Sequence, residues 1–155
     1  MEGSHPDVTS GSRRNLIMTA GIASLCSLSR EKSAEVIFED ENTLALLDIF
    51  PSAPGHTLII PKKHYVNITQ LSSEELKCLF SSVSKLVTIL GRVFDTVSFT
   101  IGINQGEISG VPHLHVHIIP RFAGDGGGIV QGVVNNKPKE SLKEIGEKIR
   151  KEIYE

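Results

Sequence analysis

Only two cysteines, Cys26 and Cys78, occur in the 155 residues, so at most one disulfide can form. Nothing around them suggests a disulfide framework, and a reducing compartment is the expected setting. No apolar run reaches the roughly 20 residues that a membrane-spanning helix needs. There is no excess of basic charge either: the formal net charge is −2. A bulk positive field for nucleic acid or an anionic membrane is thereby excluded, and any anionic substrate must be held by local groups. Internal repeats, low-complexity blocks and dividing linkers are also lacking. The length allows one domain with one hydrophobic core, and the 39% hydrophobic and 22% charged shares are those of an ordinary globular chain.

The N-terminus is polar over residues 2–15, rich in Gly, Ser and Pro, and reads as a disordered tail. After Arg13 and Arg14, the stretch Leu16–Cys26 has the outline of a signal h-region, or of an Arg- and Ser-containing organellar presequence. The apolar stretch lies far from Met1 and merges into the folded part. The expectation is therefore a tail over residues 1–21 leading into the domain, and a cytoplasmic protein, with import or export through this segment as the alternative. Met18 offers an alternative start.

Two short strand patterns, Glu35–Glu39 and Thr43–Ile49, flank the turn-forming Asp40-Glu41-Asn42. A Pro- and Gly-punctuated loop, residues 50–55, leads to an apolar strand at Thr57–Ile60. Ser72 with Glu75 forms a capping box, and Leu71 with Leu76 a hydrophobic staple. From Leu76 to Leu90 the apolar residues recur at helical spacing, and Gly91 stands where a C-terminal cap belongs. Val97, Phe99, Ile101 and Ile103 alternate with smaller or polar residues as a strand with one buried face. A loop at Gln105–Gly110 precedes a further strand, Pro112–Pro120. The segment Ala123–Gly128 is loop-like, and a short charged helix is expected from Ser141 to Ile153. Consecutive strands with few crossovers imply an antiparallel sheet backed by helices, an α+β arrangement.

Within Pro112–Pro120 side chains alternate faces with a period of two, which puts His113, His115 and His117 on one face and Leu114, Val116 and Ile118 on the other. Three of the chain's six histidines stand in this row, which core packing alone does not ask for. Two chemistries use such a row: metal binding by neutral imidazoles, or nucleophilic attack by one imidazole with neighbours that orient it and move protons. The motif alone leaves both open.

The segment His113-Leu114-His115-Val116-His117-Ile118-Ile119 resembles the signature of the histidine triad family, in which histidines alternate with apolar residues. The resemblance extends through Val36–Asp40, Leu47-Asp48-Ile49, Ala53–His64, Asn104–Glu107 and Pro120-Arg121-Phe122, all in order. It covers about residues 22–125, most like the short microbial members related to the Hint phosphoramidases.

The resemblance implies an antiparallel five-stranded sheet with two main helices. It divides the chain into a tail at 1–21, the domain at 22–126 and a C-terminal extension with a short charged helix at 127–155. It further implies a homodimer joined through the long helix and a central strand. His115 takes the part of nucleophile toward the α-phosphate of a purine nucleotide conjugate, forming a covalent nucleotidyl-histidine that water hydrolyses. His117 would bond the phosphate and assist proton transfer, His113 would orient, and His56 would position the nucleophile or relay its proton. Asp48 would accept from the ribose hydroxyls, Leu46 and Ile49 would line the base pocket, and Asn104 would contact phosphate. The substrates implied are AMP phosphoramidates or acyl-adenylates, with dinucleoside polyphosphates as the alternative. No cofactor, nucleic acid or membrane partner is implied.

Two departures stand out. Many members carry Cys-x-x-Cys near the N-terminus as half of a zinc site, to which a histidine at the place of His64 contributes. Here the stretch reads Cys26-Ser27-Leu28-Ser29, one thiolate short, so no metal is expected. The segment before the triad, Ser109-Gly110-Val111-Pro112, is two residues shorter than usual. Phosphate contacts there fall to Ser109 and to backbone N–H groups around Gly110. Preorganised donors carry much of such catalysis, so a nucleotide-binding module with little turnover is a competing expectation.

Overall fold

The computed structural model describes residues 35–154. The expected tail at 1–21, the start of the domain and the Cys26–Ser29 stretch lie outside them. Five strands form one antiparallel sheet: β1 (Val36–Glu39), β2 (Thr43–Leu47), β3 (Thr57–Pro61), β4 (Phe99–Gly102) and β5 (Val116–Pro120), in the order β1-β2-β3-β5-β4. Two α-helices are described, α1 (Ser73–Phe94) and α2 (Leu142–Tyr154). The α+β class and the five-stranded sheet are as the sequence implies.

Helix α1 starts as its capping box dictates. The Ser72 hydroxyl accepts from Glu75 N–H at 3.3 Å, and Glu75 Oε2 accepts from Ser72 N–H at 2.9 Å. Leu71 and Leu76 of the staple both join the main core. The end of the helix corrects the sequence reading. Gly91 is not the cap; the helix runs on to Phe94 and closes with Asp95 in the left-handed region at φ 49°. Gly91 serves a different need, because a Cβ there would lie 2.9 Å from the carbonyl oxygen of Thr96 as the chain turns back.

Pleating divides the sheet residues between two faces. Ala45, Ile59, Val116 and Ile118 pack with Leu79, Val83, Leu86 and Leu90 of α1. Leu44, Leu46, Leu58 and Ile60 gather in a second cluster, on the face turned away from α1. A polar network links the β1–β2 turn to α1: Asp40 Oδ1 accepts from the backbone of Asn42 and Thr43, and Asp40 Oδ2 from Ser82. Burial opposes the charge on Asp40, but these hydrogen bonds outweigh it and lower its pKa.

Three strand boundaries differ from the sequence pattern by two residues or more. β2 ends at Leu47, leaving Asp48 and Ile49 in the turn that follows. β4 starts at Phe99; Val97 is 97% exposed, and Ile101 is exposed too, because β4 is the sheet edge. β5 begins only at Val116, so His113 and His115 precede the ladder.

Residues 122–155 form a unit of their own. Asp125 accepts from Phe122 N–H and Gly127 N–H to fold the glycine-rich loop. Ser141 and Glu144 form a second capping box, so the charged helix starts one residue later than its pattern suggests, at Leu142. Among the described residues, no helix is long and apolar enough to cross a membrane.

Candidate functional site

The face that turns the side chains of Val116 and Ile118 toward α1 turns His115 and His117 the other way. His117 pairs across the ladder with Leu58 of β3. Residues 113–115, lacking ladder partners of their own, are held by separate bonds. Leu114 N–H donates to Tyr65 O at 2.6 Å, and the His113 ring donates from Nε2 to Pro61 O at 3.0 Å. His113 is 1% exposed, and its ring meets the exposed His64 edge-on with centroids 4.9 Å apart. Burial lowers the His113 pKa, with the Pro61 bond opposing. Its surroundings suit an anchor for the strand.

His115, 4% exposed, donates from Nδ1 to the carbonyl of His113 at 2.8 Å. A neutral imidazole with its proton on Nδ1 carries its lone pair on Nε2. The His115 and His117 rings are edge to face, 4.9 Å between centroids.

The remaining polar groups form a chain whose proton positions can be assigned from one end. Ser52 N–H donates to His56 Nδ1 at 3.1 Å, so that nitrogen bears a lone pair and Nε2 bears the proton. His56 Nε2–H then donates to His117 Nδ1 at 3.0 Å, with Asp48 Oδ2 3.5 Å away as a second acceptor. His117 in turn must hold its proton on Nε2, an atom that is buried without a partner among the described residues. Among the described residues, nothing accepts from the N–H at the end of this chain.

Burial pushes the His117 pKa down from 6.5 to about 4, with the neighbouring His115 and His56 adding to the effect and Asp48 opposing it. His56 is lowered as well, chiefly by burial, against the pull of Asp48. Both rings are therefore neutral near pH 7, as the hydrogen-bond chain requires. This has a consequence for stability. Between pH 6.5 and 4 the unfolded chain takes up a proton that folded His117 refuses, so stability falls as the pH drops through that window. The loss from His117 is expected to reach about 3 kcal/mol by pH 4, and chemical denaturation of wild type and His117→Gln should show it. The variant's curve should be the flatter of the two.

Asp48, His56 and His117 bring ligand-type atoms within 4.8 Å of one another, so a metal reading needs weighing. A metal on His56 Nε2 would force the proton onto Nδ1, against the Ser52 N–H. Metal-bound histidines do the opposite and donate their second N–H to an acceptor. The local backbone thus favours a proton-bearing relay.

The sequence-derived residues are therefore only partly brought together. His56, Asp48, His115 and His117 form one cluster. Leu46 is 7% exposed in the apolar layer on the same face as His117, and Ile49 is half-buried in the turn beyond β2. Asn104 is exposed beyond the end of β4. The Ser109 hydroxyl is taken up locally, donating to Val111 O at 2.6 Å, and Gly110 occupies the left-handed region at φ 68°. The backbone N–H of Ser52 and the carbonyl of Pro61 were missed by the sequence reading, since no side-chain type announces a main-chain role.

A model of the HIT domain matches residues 29–124. A HIT-like protein of Methanocaldococcus jannaschii is 43% identical over 122 residues, covering 76% of this chain and 93% of its own length. The asymmetrical bis(5'-nucleosyl)-tetraphosphatase of Schizosaccharomyces pombe is 37% identical over 94 residues, covering 59% of this chain and 52% of that enzyme. The crystal structure of a HIT family protein from Bacillus anthracis superposes with a TM-score of 0.68 at 34% identity, over 83% of this chain and 92% of that one. The chain belongs to the histidine triad (HIT) family, among its microbial members.

Proposed function

We propose that the protein is a nucleotide hydrolase or transferase in which His115 Nε2 attacks the α-phosphorus of a purine nucleotide conjugate. The observation that carries the proposal is the pair of opposed nitrogens: a lone pair on His115 Nε2 and, on the neighbouring ring, a buried N–H on His117 Nε2. In the first step a nitrogen–phosphorus bond forms and the bond to the leaving group breaks, its electron pair departing with that group; a carboxylate or polyphosphate leaves as the anion, and an amine takes up a solvent proton. The His117 N–H stabilises the charge that develops on the phosphate or the leaving atom. Water then attacks the same phosphorus, the nitrogen–phosphorus bond breaks, and a water proton passes to solvent as AMP is released and His115 restored. Asp48 would accept from the ribose hydroxyls. Leu46 and Ile49 would line the base pocket, and Asn104, Ser109 and the Gly110 N–H would lie along the phosphate path.

An AMP phosphoramidate or acyl-adenylate is the substrate class we favour. The name of the S. pombe relative supports a second reading, a dinucleoside polyphosphate. So does the neutrality of His117, because a polyphosphate leaves as a stable anion and needs no proton from an acid. Purified protein offered adenosine phosphoramidate, an acyl-adenylate and diadenosine tri- and tetraphosphate should release AMP from the first two fastest. AMP from the dinucleotides alone would select the second reading. AMP binding with no turnover on the whole panel would overturn the enzyme proposal in favour of a binding module.

The homodimer belongs to the same proposal. Edge strand β4 exposes Ile101, and α1 exposes Ile89 and Val93 one turn apart. Sedimentation at micromolar concentration should give twice the chain mass, and Val93→Glu with Ile101→Glu should give the single-chain mass.

A further inference from the structure

We propose that Phe94, the last residue of α1, is a positioning residue that sets the protonation pattern of the histidine relay through Gly55. This rests on the reading of His117 as the donor to substrate, and it extends that reading to a residue outside the histidine cluster.

Gly55 lies at φ +78°, in the left-handed region that glycine adopts without penalty. The Phe94 ring is seated directly on it. A Cβ at position 55 would fall 2.2 Å from Phe94 Cε2, 2.7 Å from Cζ and 2.8 Å from Cδ2, far inside contact distance. The ring is itself packed against the main core beneath the sheet, so it is a fixed wall and not a loose cover.

The turn held against that wall is short and bonded at both ends. His56 N–H donates to Ala53 O at 3.1 Å, and Asp48 N–H donates to His56 O at 2.9 Å. Inside this turn the Ser52 N–H meets His56 Nδ1 at 3.1 Å. Among the described residues, that bond alone distinguishes the two tautomers of His56 from the backbone side. With the proton on Nδ1, two donors would face each other there, while Nε2 would turn a lone pair toward the Asp48 carboxylate and His117 Nδ1. With the proton on Nε2, every group from Ser52 N–H to His117 Nδ1 is matched. The shape of the 51–56 turn therefore decides which nitrogen of His56, and then of His117, carries a proton, and Phe94 holds that shape.

The sequence offers no hint of this, since residues 94 and 55 belong to different elements and neither bears a polar group. A smaller side chain at 94 leaves room for the turn to relax, and a methyl at 55 pushes ring and turn apart. Both changes should loosen the Ser52–His56 bond without touching the nucleotide.

The test is nitrogen-15 NMR of the imidazoles at pH 7 without substrate, alongside steady-state kinetics on the substrate identified by the panel above. Wild type should show His56 and His117 protonated on Nε2. Phe94→Leu should show His56 exchanging between both tautomers, with kcat about tenfold lower and KM within about twofold, the effect expected of removing an outer partner of a reacting group. Phe94→Tyr keeps the ring and should restore both. Gly55→Ala approaches the same contact from the other side and should shift the tautomers in the same way. His56 protonated on Nδ1 in wild type would overturn the proposal, and this measurement depends on no variant folding. Unchanged tautomers and kcat in folded Phe94→Leu would overturn it equally. Because the NMR needs no turnover, failure of this proposal is distinguishable from failure of the enzymatic reading.

Discussion

His115→Asn is expected to bind AMP within a few-fold of wild type and to turn over a substrate on the order of a thousandfold more slowly, or worse. The asparagine amide retains much of the ring's size and one donor, so the bond to the His113 carbonyl can be kept while the nucleophilic lone pair is lost. That loss corresponds to about 4 kcal/mol of transition-state stabilisation. Single-turnover assays of AMP release, with AMP binding measured by calorimetry on the same preparation, separate the two effects. Equal turnover by both proteins would remove His115 from the mechanism, whatever the fate of its neighbours.

Leu79→Ala should have the largest effect on stability without entering the site. Leu79 is fully buried on α1, at the centre of the cluster that joins the helix to Ala45, Ile59 and Val116. Removing three carbons from a packed interior forfeits their transfer free energy and leaves a cavity, together about 3 kcal/mol. For a chain of this size the midpoint of thermal unfolding should fall by about 10 °C. Because the histidines occupy the opposite face of the sheet, kcat measured well below that midpoint should stay within about twofold of wild type. A large fall in kcat with an unchanged midpoint would mean that the two faces are coupled in a way the packing does not indicate.

What the sequence made legible follows from how local each feature is. The capping box of Ser72 and Glu75 needs three residues of context and was readable, as was the division of Val116 and Ile118 from His115 and His117 by simple alternation. The true end of α1 was not. Gly91 has the composition of a cap, but its purpose is to let the carbonyl of Thr96 pass close by, and that depends on the path of residues beyond the helix. The start of β5 was hidden for a related reason. The pattern of His113 and His115 continues the strand, yet their neighbours come from Pro61 and Tyr65 at the exit of β3 and not from a ladder.

The candidate site divides in the same way. Which residues gather at the candidate site was legible in the triad and in the blocks around Asp48 and His56. How they are wired was not, because the wiring starts from the backbone N–H of Ser52 and ends on a ring nitrogen that none of the described residues engages. The Ser52 N–H on His56 Nδ1 also favours a relay over a metal on His56 Nε2, two readings that the bare row of histidines left equal. Ser109 illustrates the converse. Its type and place suggested a phosphate contact, whereas its hydroxyl donates to Val111 O.

The central claim is that His115 forms a bond to phosphorus. Protein mixed with a slowly hydrolysed adenosine phosphoramidate, quenched at alkaline pH within the first turnover and digested, should yield one peptide heavier by a single adenylyl group, with fragmentation locating it on His115. His115→Asn should yield none. Turnover of the substrate with no adduct at any quench time, or an adduct on another residue, would contradict the mechanism proposed for this site.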